Sequence, residues 1–221
     1  MCDVKFIGIA GGSASGKSTL AKTLSCKFGF YVPVISQDWF YNELTDKSLG
    51  PTHNWDSPSA FDVDAIVAAI TTWKSGNGVH TPRHNYSNYT RIHNVEWIKS
   101  APIMIFEGIL AYYDPRIAAL IDYKIFIDCD IEAALERRIV RDETERGYTR
   151  EEICARFEAH VRPSFEQYVV TQKKTADLTI PNGNDRDPSM LVALDIISTG
   201  VCKRGREKER TTDKSRRWSS R

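Results

Sequence analysis

The sequence predicts a three-layer α/β domain built around a mainly parallel sheet, and three observations carry that reading. Short apolar runs alternate with helical patterns along the chain, a loop rich in glycine and hydroxyl residues joins the first run to the first helix, and neither a repeat nor an interior linker divides the whole.

In chain order, "KFIGIA" reads as a buried strand, "GKSTLAKTLSCKF" as a helix and "VPVIS" as a second strand. "DVDAIVAAITTWKSG" follows as a helix, with Asp62 placed to cap its start and Gly76 near its end. "PIMIFEG" and "YKIFID" are the next strands. Two helices come after them, "DIEAALERRIVRDETERG" and "REEICARFEAHVRPSFEQYVV", the second carrying Pro163 as a boundary or kink. "ADLTIP" is a last strand and "PSMLVALDIIS" a last helix. One domain is therefore expected over residues 1–200, with a lid at about 137–150, a small acceptor-binding insertion at about 78–98 and a basic tail over 201–221.

The chain of 221 residues is 41% hydrophobic, enough for one sizeable core, and its net charge of +1 is unevenly spread. Residues 203–221 hold nine Lys or Arg against three acids, a surplus of six that leaves the rest of the chain near −5. A nucleic-acid-binding body is not expected, and the tail, almost without apolar residues, is expected to be disordered. Five cysteines (Cys2, Cys26, Cys129, Cys154, Cys202) form no CxxC pair, which argues against a zinc site or a disulfide framework and for a reducing, cytoplasmic setting. No stretch approaches the roughly 20 apolar residues of a membrane span, so no membrane partner is expected.

Residues Gly11, Gly12, Ser13, Ala14, Ser15, Gly16, Lys17 and Ser18 fit GxxxxGK[ST], directly after a predicted strand and opening a predicted helix that continues through Thr19. Glycines let successive N–H groups turn inward, the helix start adds its positive end, Lys17 reaches the β- and γ-phosphates, and Ser18 is placed to ligate Mg²⁺. A nucleoside triphosphate in a P-loop NTPase fold is the expectation. No Asn is followed by Lys, so the Asn-Lys-x-Asp guanine reader of a GTPase is missing, and an LSGGQ-like transporter signature is missing too. A kinase of a small acceptor remains.

Such a kinase needs a carboxylate for the acceptor hydroxyl, an acid near the metal, and cations over the transferring group. Asp38 stands just past the second predicted strand, on the sheet edge where ligands bind in such folds. Glu107 ends the apolar run "IMIF", where a Walker-B acid would hold Mg²⁺. Arg137, Arg138, Arg141 and Arg146 stand among Glu136, Asp142, Glu143 and Glu145, a pattern that suits either a salt-bridged helix or a closing lid whose guanidinium groups grip phosphate oxygens. Tyr41, Tyr86 and Tyr89 are pocket candidates, whereas His53 is expected to be an ordinary hydrogen-bonded residue.

In order and spacing, "GGSASGKST", "SQDWFY", "WDSPSAFD", "FEGILAYY", "RRIVRDETERG" and "VRPSFEQYVVTQKKTADLTIP" resemble the uridine kinase (uridine-cytidine kinase) family over about residues 4–198. The resemblance implies ATP- or GTP-dependent phosphorylation of the 5′-hydroxyl of a pyrimidine ribonucleoside, uridine or cytidine, in pyrimidine salvage. It implies Asp38 at the 5′-hydroxyl, Asp56 at the ribose diol, Glu107 near Mg²⁺, Arg138 and Arg141 over the phosphates, and a homo-oligomer, tetrameric in many relatives. Departures gather where the base would be read. A Tyr-Asp-Phe-like run and a following His are replaced by "RHNYSNYTR", with His84, Asn85, Tyr86 and Tyr89, an expected Arg is Tyr148, and a Gln further along aligns with Arg156. The segment between Tyr41 and Trp55 is also shorter than in many relatives. Two other readings are a related kinase acting on nicotinamide riboside, pantothenate or ribulose phosphate, and an idle nucleotide-binding module. Retention of Lys17, Asp38 and Glu107 together argues against the idle module, because binding alone has no need of Asp38.

Overall fold

The computed structural model describes residues 4–28, 30–50 and 52–181. Five parallel strands form the central sheet in the order β2-β5-β1-β6-β7: β1 (Lys5–Gly11), β2 (Val34–Ser36), β5 (Ile103–Gly108), β6 (Tyr123–Asp128) and β7 (Leu178–Pro181). Apolar residues occupy both faces because helices cover both. Phe6, Ala10, Met104, Phe106 and Phe126 pack into one core, whereas Ile7, Ile9, Ile103, Ile105, Ile125 and Ile127 pack into the other. The strand period of two assigns these sets, aromatic and methionine side chains to one layer and isoleucines to the opposite one.

Helix α1 (Lys17–Lys27) covers the isoleucine face through Leu20, Ala21 and Leu24. On the other face lies α2 (Val63–Lys74), whose start is capped by Asp62 accepting from the Ala65 N–H at 2.9 Å and which buries Ile66, Ile70 and Trp73. Gly76, just past its end, takes φ +88°, as a helix-terminating glycine should. A short α3 (Pro115–Ala118) precedes β6, and α4 (Ile131–Arg146) starts from Asp130, which accepts from two backbone N–H groups.

Two elements depart from the sequence expectation. Residues 79–98 form an antiparallel hairpin, β3 (Val79–Asn85) and β4 (Thr90–Ile98), where no strands were expected. Arg91 fastens it to the sheet edge by pairing with Asp62 at 2.6 Å and donating to the carbonyls of Phe40 and Tyr41. Pro163 neither ends nor breaks its helix. Residues 150–175 run continuously through α5 (Arg150–Arg156), a π turn at Phe157–Val161, α6 (Arg162–Ser164), a second π turn at Phe165–Val169 and a 3₁₀ end. Widening on both sides accommodates a residue that lacks an N–H and crowds the preceding turn. The expected helix over 188–198, the tail and Cys2 and Cys202 lie outside the described residues.

Candidate active site

The carboxyl ends of β1, β2 and β5 meet at one edge of the sheet, where ligands bind in open α/β folds. From β1 the chain enters the Gly11–Ser18 loop. Gly11 lies so near β6 that a Cβ would come within 2.7 Å of the Ile127 carbonyl, and Gly16 starts α1 at φ +98°. Ala14 is also left-handed, at φ +59°, a strained value for a residue with a Cβ. Ser13, Ala14, Gly16, Lys17, Ser18 and Thr19 line a polar cleft, with Gly11, Gly12 and Ser15 forming the buried wall behind them.

Lys17 is buried, and its Nζ donates to the Gly12 carbonyl at 2.6 Å but pairs with no carboxylate among the described residues. Burial therefore holds its pKa below the ordinary lysine value, with Glu107 and Asp38 pulling the other way. Glu107 is buried as well and its pKa is raised, chiefly by burial, although Lys17 and hydrogen bonds from Ser36 and Ser18 favour the carboxylate. The hydroxyl of Ser15 is buried without a hydrogen-bond partner among the described residues. Lys17 and Glu107 are buried at the same edge with no hydrogen bond between them among the described residues, an arrangement whose chemistry fits a phosphate at the ammonium and a metal ion at the carboxylate. Mg²⁺ needs only one or two carboxylates beside phosphates and water, so the Ser18–Glu107 pair fits it even though the described residues gather no cluster of three or more metal-binding side chains.

A second cleft adjoins the first, and Ser13, Asp38, Ile109 and Arg141 line both. Asp38 sits on the 3₁₀ turn Gln37–Phe40 that follows β2, its N–H 3.4 Å from the Ser36 hydroxyl and its Oδ2 3.4 Å from the Tyr86 hydroxyl. Around the second cleft stand Tyr41, Tyr86 and Tyr89, and with them Trp55 and His53, which sequence reasoning left out. Trp55 stacks on Tyr89 at 5.6 Å and meets Tyr41 edge-on at 5.1 Å. His84 does not line this cleft. It lies behind it, against Tyr41, Trp55 and Tyr86, and burial pushes its pKa down to about 4, so it is a neutral ring of the wall at pH 7.

Asp56 also lines the aromatic cleft, and its carboxylate accepts no hydrogen bond among the described residues. Burial raises its pKa and the Asp38 charge adds to that, while Arg138 and Lys17 oppose it. Such an acid contributes stability at low pH that is lost as pH rises through its raised pKa.

The far wall comes from α4 and from residues 150–175. Arg138 and Arg141 both reach Asp142, at 3.2 and 2.8 Å, and that carboxylate is 1% exposed. The salt-bridged helix and the lining of the clefts are thus one arrangement, in which Asp142 holds the guanidinium groups of Arg138 and Arg141 at the cleft wall. Asp142→Ala should cost about 2–3 kcal/mol in urea denaturation, as loss of a buried acid between two cations does when one of them is partly exposed. A loss under about 0.5 kcal/mol, typical of surface positions, would show that the pair is not anchored there. Tyr148 and Arg156 line the same cleft, together with Ile153, His160 and Val161. The spacing 153, 156, 160 is that of one helix face, a signal present in the sequence but indistinguishable there from ordinary amphipathicity.

The chain matches the phosphoribulokinase/uridine kinase family over residues 6–189. It is 37% identical to a uridine kinase of Clostridium perfringens, across 87% of this chain and 92% of that protein. It is 34% identical to uridine-cytidine kinase A of Dictyostelium discoideum over 93% of its own length, yet spans only 41% of that larger protein. Among solved structures, phosphoribulokinase from Rhodobacter spheroides superposes with a TM-score of 0.61 at 17% identity, covering 82% of this chain and 71% of that one, a likeness of fold alone.

Proposed function

The chain belongs to the phosphoribulokinase/uridine kinase family, and from that premise we propose that it transfers the γ-phosphoryl group of ATP or GTP to the 5′-hydroxyl of a pyrimidine ribonucleoside, uridine or cytidine. The observation that carries the reading is the place of Asp38, on the shared wall between the polar cleft of the Gly11–Ser18 loop and the aromatic cleft that holds Asp56. A flat base would lie among Tyr41, Trp55, Tyr86 and Tyr89, because aromatic faces favour aromatic ligands. Asp56 would accept from the ribose diol, leaving the 5′-hydroxyl beside Asp38.

Asp38 takes the hydroxyl proton as the oxygen attacks the γ-phosphorus, and the bond to the β-phosphate oxygen breaks, giving the nucleoside monophosphate and the diphosphate. Lys17 and the loop N–H groups hold the β- and γ-phosphates, and Arg138 and Arg141 cover the transferring group from α4. Mg²⁺ held at Ser18 and Glu107 would neutralise phosphate charge. Residues 137–150 act as the lid and 78–98 as the acceptor-binding insertion. A cytoplasmic role in pyrimidine salvage, in a homo-oligomer, goes with this reading; among the described residues no helix is long and apolar enough to cross a membrane.

Turnover measured with ATP, Mg²⁺ and a panel of nucleosides tests it. Ribonucleosides should exceed their 2′-deoxy forms by roughly 10- to 100-fold in kcat/KM, the worth of one charge-assisted hydrogen bond to Asp56. Asp56→Asn should shrink that preference without lowering the Tm of the ligand-free protein at pH 7, because the substitution removes an unpaired charge. Equal rates for ribo and deoxy substrates in the unaltered protein would remove Asp56 from the ribose site.

A further inference from the structure

The aromatic cleft explains how a base is held but not how one pyrimidine is told from another, since every base offers a π-face to Trp55, Tyr86 and Tyr89. Discrimination falls to polar groups. Of the acids lining the cleft, Asp142 is committed to Arg138 and Arg141, Asp38 stands on the wall shared with the polar cleft and has the hydroxyl role proposed above, and Asp56 has the ribose role proposed above. Arg156 is different. It is half-buried in the cleft wall, forms no ion pair or hydrogen bond among the described residues, and its guanidinium carbon stands over the Tyr148 ring, 4.2 Å from the centroid.

The cation–π contact with Tyr148 holds the guanidinium at this place in the cleft wall and limits the positions open to its fork before a ligand arrives. A guanidinium also offers donors only. The two pyrimidines differ in what they return to it. Cytosine presents N3 and O2 as adjacent acceptors, which a two-pronged donor can take together, whereas uracil places an N3–H donor between its two carbonyls and turns it against the fork.

We infer that Arg156, held by Tyr148, is the specificity-determining residue of the acceptor cleft and selects a pyrimidine with an unprotonated N3 beside O2, so that cytidine is the preferred acceptor over uridine. This rests on the nucleoside kinase reading above. A bidentate guanidinium contact discriminates by roughly 10- to 100-fold against a base that cannot return it. His53 and His160 line the same cleft and can donate or accept, so the test must isolate Arg156 from them.

Cytidine and uridine are offered together at equal concentration with ATP and Mg²⁺, and the ratio of the two monophosphates gives the ratio of kcat/KM without regard to how much enzyme is active. The ratio should favour cytidine by about tenfold or more. 3-Deazacytidine, which keeps the amino group and O2 but replaces N3 by C–H, should lose that advantage. Arg156→Gln, which can both donate and accept, should bring the ratio near one, and Arg156→Lys, a single-point donor, should fall between. A ratio near one in the unaltered protein, or a cytidine preference that persists in Arg156→Gln, overturns the inference while leaving the kinase reading intact. Absence of turnover with every nucleoside overturns both.

Discussion

Lys17→Ala is expected to reduce turnover by roughly 10³-fold or more while leaving the fold intact, the loss seen when a fixed charge on the transferring group is removed. The two halves of that expectation have one cause. Lys17 is buried with a backbone carbonyl as its hydrogen-bond partner and no carboxylate paired to it among the described residues, and desolvation depresses its pKa. An ammonium placed in this way costs stability in the ligand-free protein and recovers that cost when phosphate arrives. Replacing it by alanine should therefore hold the Tm of the ligand-free protein or raise it, while eliminating the extra stability that saturating ATP gives to the unaltered chain. Steady-state kinetics and thermal melts with and without ATP check both halves. Retention of most of kcat would take the Gly11–Ser18 loop out of the chemistry.

Asp38→Asn should lower kcat by roughly 10²- to 10⁴-fold, the usual worth of a positioned general base. Asparagine keeps the shape and the hydrogen bond to Tyr86 within reach, and removes only the capacity to take a proton. Affinity for ATP should change little, because the N–H groups of the loop, Lys17 and Glu107 are untouched. A loss of ATP binding as large as the loss of kcat would instead make Asp38 a metal or structural residue.

The phosphate half of the site is legible in the sequence because its parts are local. One loop between a strand and a helix contains Gly11 to Ser18, and Asp38 and Glu107 each sit at the end of a short apolar run, so sheet topology alone delivers them to one edge. Register completes the arrangement by setting Ser36 directly beside Glu107. The acceptor half is less legible. Its hairpin carries no clean alternation, since β4 is exposed along most of both faces and β3 contains Pro82 at a break in register between Thr81 and Arg83. Sequence reading puts the aromatic residues in the neighbourhood but cannot rank them. Trp55 reaches the cleft, whereas His84 is turned behind it, on a hairpin that Arg91 anchors to Asp62, 29 positions away. Arg156 is reached from the sequence only through the resemblance, by its alignment with a Gln, whereas Ile153 and His160 on the same face come to notice only where residues 150–175 pack against the cleft.

The central claim, phosphoryl transfer to the 5′-hydroxyl of a pyrimidine ribonucleoside, is tested most directly by identifying the product. The protein is incubated with ATP, Mg²⁺ and either cytidine or uridine, and the position of the new phosphate is read by phosphorus–proton coupling in NMR, with 5′-deoxyuridine, nicotinamide riboside, pantothenate and ribulose 5-phosphate run in parallel. The account predicts the 5′-monophosphate from both pyrimidine ribonucleosides, in amounts matching the ADP formed, and no phosphorylated product from 5′-deoxyuridine. A phosphate on another hydroxyl, or efficient turnover of one of the other acceptors with none of either pyrimidine, would contradict it.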